Sequence, residues 1–223
     1  MDIQLHADRD QEALVHGAEI EWVPSPMPGV ERRMLERSGG EIALASSIVR
    51  YAARSRFLPH AHPLGEEFMV LEGTFSDEDG DYPAGTYVRN PPGSAHSPFS
   101  RDGCVIFVKL RQMQADERET VRIHPHEYQW VSTAEGRRRA SLYANRRISI
   151  ALEKLDPGSA ACPGATDGGL EILVLSGRIA LPDRHASLGP WSWLRTRAAL
   201  AGVRAGAEGA LLWVKRGHLK VAE

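Results

Sequence analysis

Apolar residues in this chain come in short runs rather than on a helical stripe. Glu41 to Tyr51, Glu67 to Phe75, Val105 to Leu110, Ile148 to Leu155 and Ile172 to Leu175 are each of strand length. Gly, Pro and Asp clusters separate them, as expected of an all-β protein of antiparallel hairpins. Pro83-Ala84-Gly85 and Pro91-Pro92-Gly93 interrupt any helical alternative. Only residues 8 to 20 read as a short helix. The charged stretch from Arg111 to Arg122 reads as part of a connection.

The runs repeat. Trp22-Val23 recurs as Trp130-Val131, and Gly29 with Arg32-Arg33 recurs as Gly136 with Arg137-Arg138. Met69-Val70-Leu71-Glu72-Gly73 recurs as Leu173-Val174-Leu175-Ser176-Gly177, and Val105 to Lys109 recurs as Leu211 to Lys215. The offset stays between 104 and 108 residues, the mark of a duplicated unit with small insertions. The expected organisation is an N-terminal arm over 1–20, one unit over 21–115 and a second over 116–223.

Candidate chemistry is confined to the first unit. Pro59-His60-Ala61-His62-Pro63-Leu64-Gly65-Glu66 places two imidazoles two residues apart, so in a strand they share a face. Glu66 follows across a tight turn, and His96 arrives from Pro91-Pro92-Gly93-Ser94-Ala95-His96. Three neutral imidazoles and one carboxylate suit a transition metal rather than calcium or magnesium. Counting back from Gly177 puts Leu170 where Glu66 stands, with Gly164 and Thr166 at the places of His60 and His62. The place of His96 falls near Leu200 to Gly202. One divalent metal ion per chain is therefore expected, with zinc favoured over iron, manganese or nickel. By alternation from Glu66, Phe68 and Val70 face the metal side; Tyr87, Phe99 and Phe107 complete the expected pocket wall.

The remaining candidates read as ordinary structure. His124-Pro125-His126 lacks a second-motif partner and reads as a surface or linker segment. Asp77 to Asp81 imitates a calcium loop but has its glycine at the wrong place, so it reads as a hairpin turn. Cys104 and Cys162 are the only cysteines, which excludes a disulfide framework; Cys104 reads as the start of a buried strand. His6, His16, His185 and His218 have no ligand spacing. A net charge of −2 gives no electrostatic case for nucleic acid or an anionic membrane. The charged N-terminus and the lack of a long apolar run point to a cytoplasmic protein.

Arg56 to Gly73, with six residues between Glu66 and the glycine, resembles the first cupin motif, and Gly85 to His96 resembles the second. Ser100 departs from the asparagine that ends the general second motif. More narrowly, Glu66-Glu67, Val70 to Asp77, Gly80 to Tyr87, Arg89 to Ser94 and Phe107 to Gln112 resemble the cupin domain of ChrR-type anti-sigma factors. This resemblance implies two tandem cupin barrels (double-stranded β-helix, or jelly roll), the second degenerate. It also implies a stress-sensing, transcription-regulatory module whose partner is an extracytoplasmic-function sigma factor. The zinc domain that grips the sigma factor in that family carries a Cys-x-x-Cys motif, and this chain has none, which argues against direct inhibition. The alternatives are a cupin-type metal-dependent dioxygenase acting on a small ketone or diketone, and an assembly protein pinned by its metal. A homodimer and a small-molecule ligand complete the expectations.

Overall fold

The computed structural model describes residues 2–40, 42–161 and 168–219. Glu41, Cys162, Gly164 and Thr166 lie outside that set. Nearly every element is a β-strand, and the described helices are three short 3₁₀ turns. The all-β expectation holds for the reason the pattern gave: alternating runs bury one face, and turn residues end each strand before a helix can form.

The chain separates into two compact units, Met1–Ala7 with Ile20–Glu127, and Asp8–Glu19 with Tyr128–Glu223. In the first, the antiparallel sheet runs Ile3–Leu5, Val30–Gly39, Ala43–Tyr51, Cys104–Leu110, Glu66–Asp77, Tyr87–Asn90, Val121–Ile123. In the second it runs Trp130–Ala134, Arg137–Ala144, Ser149–Leu155, Arg204–Arg216, Leu170–Leu181, Ser192–Thr196, Ala13–His16. The two orders correspond strand for strand across the five central strands, and each repeat seen in sequence falls on matching strands. Val108 pairs with Phe68, as Val214 pairs with Ile172; Lys109 pairs with Glu67, as Lys215 pairs with Glu171.

The helix expected over residues 8 to 20 is not formed. Ala13–His16 is a strand, registered Ala13 to Arg195 and His16 to Ser192, followed by a 3₁₀ turn over Gly17–Glu19. Pairing at an open sheet edge outweighs the weak local helix preference, because the edge of Ser192–Thr196 offers unpaired backbone groups. Glu12 anchors the segment through Arg184 and the Thr196 hydroxyl. The connection between units also lies beyond the charged stretch, since Val121–Ile123 is the edge strand beside Tyr87–Asn90.

Each unit has its own apolar interior. In the first it is built from Phe68, Val70, Phe75, Tyr82, Ile106 and Val108 with their neighbours. In the second, Leu170, Ile172 and Val174 take the alternate positions, and Leu200 joins the same cluster. Leu170, where the first unit has Glu66, is thus a buried core residue packed by apolar side chains, in an environment that would penalise an unpaired carboxylate.

Candidate metal centre

Two short strands and one turn assemble the site. His60–His62 pairs antiparallel with Ser94–His96, placing His96 opposite His60 and Ser94 opposite His62. The turn into Glu66–Asp77 is tied by the Gly65 and Gly93 amides, which both donate to the His62 carbonyl, at 3.1 and 2.9 Å. Glu66 begins the long strand opposite Asn90 and Leu110. Two chain segments thirty residues apart, His60 to Glu66 and Ser94–His96, therefore bring four side chains together.

The three imidazoles offer nitrogen donors that all lie within 4.8 Å of one another. Glu66 Oε2 stands 3.6 Å from His62 Nε2 and 3.5 Å from His96 Nε2. Two ligand atoms at about 2.0–2.2 Å from one tetrahedral zinc would be about 3.4 Å apart, so these separations need only small adjustment. His62 Nε2 and His96 Nε2 are buried and have no hydrogen-bond partner among the described residues. Buried nitrogens are normally satisfied, and a metal ion would satisfy both. The residues therefore fit the ion that their donor types imply.

The outward nitrogens are held by other groups. His96 Nδ1 lies 3.1 Å from Asp77 Oδ2, and His60 Nδ1 lies 3.1 Å from the Leu58 carbonyl. Such partners keep Nδ1 protonated and leave the Nε2 lone pair for a metal. Asp77 is itself fixed by the Tyr82 hydroxyl at 2.9 Å and the Asp79 amide at 2.9 Å, and Arg122 supports Tyr82 from behind. Burial would raise the Asp77 pKa, but hydrogen bonds from His96, Tyr82 and Asp79 together hold it below the usual carboxylate range. Asp77 is the functional residue that sequence reasoning missed. It sits in the acidic run read as a hairpin, and it does open that hairpin, opposite Gly80. Only the fold shows that its second oxygen reaches a histidine nineteen residues away. Replacing Asp77 with asparagine is expected to weaken metal binding about 10- to 100-fold while leaving all four candidate ligands in place. Competition with a chromophoric chelator measures the change.

The two inner histidines differ. Burial lowers the His62 pKa, which the charge of Glu66 only partly offsets. Burial also opposes the charged form of His96, yet the Asp77 hydrogen bond and the charges of Glu66, Asp77 and Glu78 raise its pKa overall. In metal-free protein, protonated His96 contributes stability below the unfolded histidine value of about 6.5, and loses it as pH rises through its raised folded value. A metal must displace that proton. Retention is therefore expected to fall as pH drops through the raised His96 value, which dialysis across a pH series followed by metal analysis would read.

A cavity of about 320 Å³ opens over the cluster, bounded by His60, His62, Glu66 and His96 on one side. Its apolar wall differs from the expected one. Phe68 and Val70 do face the interior, but they pack in the core, and Phe75 stands between Phe68 and His96, with ring centroids at 4.7 and 6.0 Å. Tyr87 and Phe107 belong to the opposite face, where Tyr87 donates to Glu67 and Lys109 lies 5.8 Å over the Phe107 ring. Phe99 is on a separate short strand under the guanidinium groups of Arg56 and Arg101. None of the five lines the cavity; Tyr51, Phe57 and Phe75 do. Alternation gives a side chain's face but not its depth. A bulge opposite Val105 and Ile106 also shifts the register along Glu66–Asp77, so Phe75 turns inward where strict counting turns it out.

The other candidates fall into structural roles. His124 stacks on Tyr82 with centroids 6.2 Å apart, and His126 follows it on a 3₁₀ turn. Cys104 is a buried strand residue whose thiol burial pushes up to about 11, which suppresses thiolate chemistry. Among the described residues, His60, His62 and His96 form the one cluster of three or more such side chains that could hold a metal ion.

Residues 10–114 match the family described as the ChrR cupin-like domain, and the fold is similar to that of solved cupin structures. Among solved structures, the glyoxylate-induced protein candidate from Pseudomonas aeruginosa aligns with a TM-score of 0.72 at 14% identity, covering 97% of this chain and 94% of that one. A candidate dioxygenase from Nostoc punctiforme aligns at 0.66 and 13% identity, covering 100% and 84%. The bacterial pirin YhhW from Escherichia coli, in complex with nickel(II), aligns at 0.65 and 11% identity, covering 92% and 98%. Comparison with curated proteins finds no match. Among the described residues, no helix is long and apolar enough to cross a membrane.

Proposed function

We propose that this protein is a two-barrel cupin whose first unit holds one divalent transition metal through His60, His62, Glu66 and His96 and reports a small-molecule or oxidative signal to a regulatory partner. The observation that carries the metal part is the pair of buried, unpartnered Nε2 atoms facing Glu66 across 3.5 and 3.6 Å. The match of residues 10–114 to the ChrR cupin-like domain supports the regulatory part. The ion, with zinc favoured, would supply a Lewis-acid centre that binds a ligand oxygen or sulfur. The protein's own groups do the rest: Asp77 and the Leu58 carbonyl orient two ligands, and the cavity wall excludes bulk water from one side of the cluster. The second unit, with Leu170 in its core, acts as a structural partner. A cytoplasmic homodimer that engages a sigma factor through a separate zinc-domain protein completes the reading.

A second reading is favoured by one observation, the cavity that opens onto the candidate ligands. A metal-dependent dioxygenase needs such a space for a chelating ketone or diketone beside an open coordination position. Metal analysis of protein purified without chelators tests both. About one zinc per chain with no oxygen uptake on acetylacetone supports the sensor and removes the oxygenase. Iron with substrate-dependent oxygen uptake reverses the choice. Absence of any transition metal would sink both.

A further inference from the structure

The charge of the cavity is one-sided. Among the described residues that bound it, Glu66 is the one acid, whereas Arg32 and Arg111 are basic. Glu66 faces His62 and His96, on the side of the cavity that carries the candidate ligands. Its remaining surface is largely apolar, formed by Val30, Val49, Phe57, Phe75, Val108 and Leu110. A cavity of this size is at the small end of the roughly 300–1,000 Å³ typical of ligand sites. It suits a single ring or a short branched chain.

Two local features mark a built site. Arg111 has φ +60, a left-handed backbone that a residue with a side chain rarely adopts. Its amide donates to the Gly65 carbonyl at 3.0 Å, tying it to the turn that carries Glu66. Arg111 is one of the residues that bound the cavity, and it pairs with no acid among the described residues. Backbone strain of this kind persists where surrounding structure over-determines it, as at ligand sites. Tyr51 lines the same cavity, wedged between Phe57 and Phe75 with centroids at 5.1 and 5.6 Å. Its hydroxyl has no hydrogen-bond partner among the described residues, and burial together with the charge of Glu66 keeps it protonated. It is a neutral donor awaiting an acceptor.

We infer that the cavity binds a small organic carboxylate with an apolar body, its carboxylate on Arg111, a second oxygen on the Tyr51 hydroxyl, and its body against the Val30–Phe75–Leu110 wall. This deepens the sensor reading by naming the class of molecule sensed, and rests on it for the ligand's place beside the metal. A planar guanidinium is the natural partner of a carboxylate, and a charge-assisted pair shielded from water is strong enough to set specificity.

Calorimetric titration of the metal-loaded full chain with benzoate and with benzamide, matched in shape and differing in charge, is the test. Benzoate is expected to bind at least about tenfold tighter, the effect of one charge-assisted hydrogen bond. Arg111→Gln is expected to remove that preference, and Tyr51→Phe to weaken both probes. Arg111→Gly separates binding from structure. Glycine accepts the left-handed backbone, so the melting temperature is expected not to fall while the preference for benzoate disappears. Equal binding of the two probes, no binding of either, or a preference that survives Arg111→Gln or Arg111→Gly overturns the proposal. A preference that persists in both Arg111 variants but vanishes in His60→Ala places the carboxylate on the metal, and overturns it too. Metal content measured on the same samples tests the sensor reading separately. A metal-free chain with an Arg111-dependent preference supports the carboxylate site while removing the metal reading.

Discussion

Replacing His62 with alanine is expected to strip the first unit of its metal. His62 is buried, its Nε2 has no hydrogen-bond partner among the described residues, and it faces Glu66 at 3.6 Å. The loss in affinity should exceed the roughly 10- to 100-fold produced by removing a group that merely orients a ligand. Metal analysis after dialysis reads it directly. A linked stability measurement gives an independent check. Wild-type protein should lose up to about 4 kcal/mol on chelation if its metal is held at a thousand times its dissociation constant, whereas the variant should not respond. His124→Ala, on the other His-x-His segment, should retain full occupancy. Full metal retention by His62→Ala would mean the ligand set is wrong.

Gly73→Ala is expected to be the most damaging small substitution in the first unit. Gly73 has φ +69, and a methyl group there would lie 2.2 Å from the Gly103 carbonyl oxygen and 3.0 Å from the Cys104 Cα. These are backbone atoms of the paired strand region and cannot swing aside. A left-handed backbone costs about 1–2 kcal/mol for a residue with a side chain, and forced overpacking adds about 1–3 kcal/mol. The total destabilisation should be about 2–5 kcal/mol in urea unfolding. Gly177 repeats the arrangement in the second unit, with φ +71 and the Gly209 carbonyl at 2.2 Å, so Gly177→Ala should cost a similar amount. Gly206→Ala is the control. Its added methyl would meet only ordinary contacts, beginning at 3.5 Å, and should change stability by no more than about 0.5 kcal/mol. Equal effects at Gly73 and Gly206 would refute the steric argument.

The matching glycines show why the duplication was readable. The sequence repeat aligned Gly73 with Gly177, and the fold gives both a left-handed backbone within the long strand, each against the corresponding partner strand of its own unit. Physical constraint on a backbone leaves a mark in residue type when only glycine can meet it. Edge strands leave no such mark. Ala13–His16 and Val121–Ile123 were read as helix and connection because pairing at an edge depends on the neighbour, not on the segment's own residues.

The same division runs through the site. The chain itself carried the candidate donors and their strand spacing, because residues two apart on a strand share a face. It also determined that the second unit lacks a carboxylate at the matching position, since Leu170 is a plain substitution there. Tertiary structure alone decided how the cluster is supported and what surrounds it. Asp77 reaches His96 because a hairpin folds back. Phe75 enters the cavity because a bulge shifts the strand's register. Arg111 and Tyr51 bound the same cavity from segments that are far apart in sequence. Local periodicity fixes which face a side chain takes. Depth, partners and cavity walls depend on how distant strands register against one another, and that is a property of the whole fold.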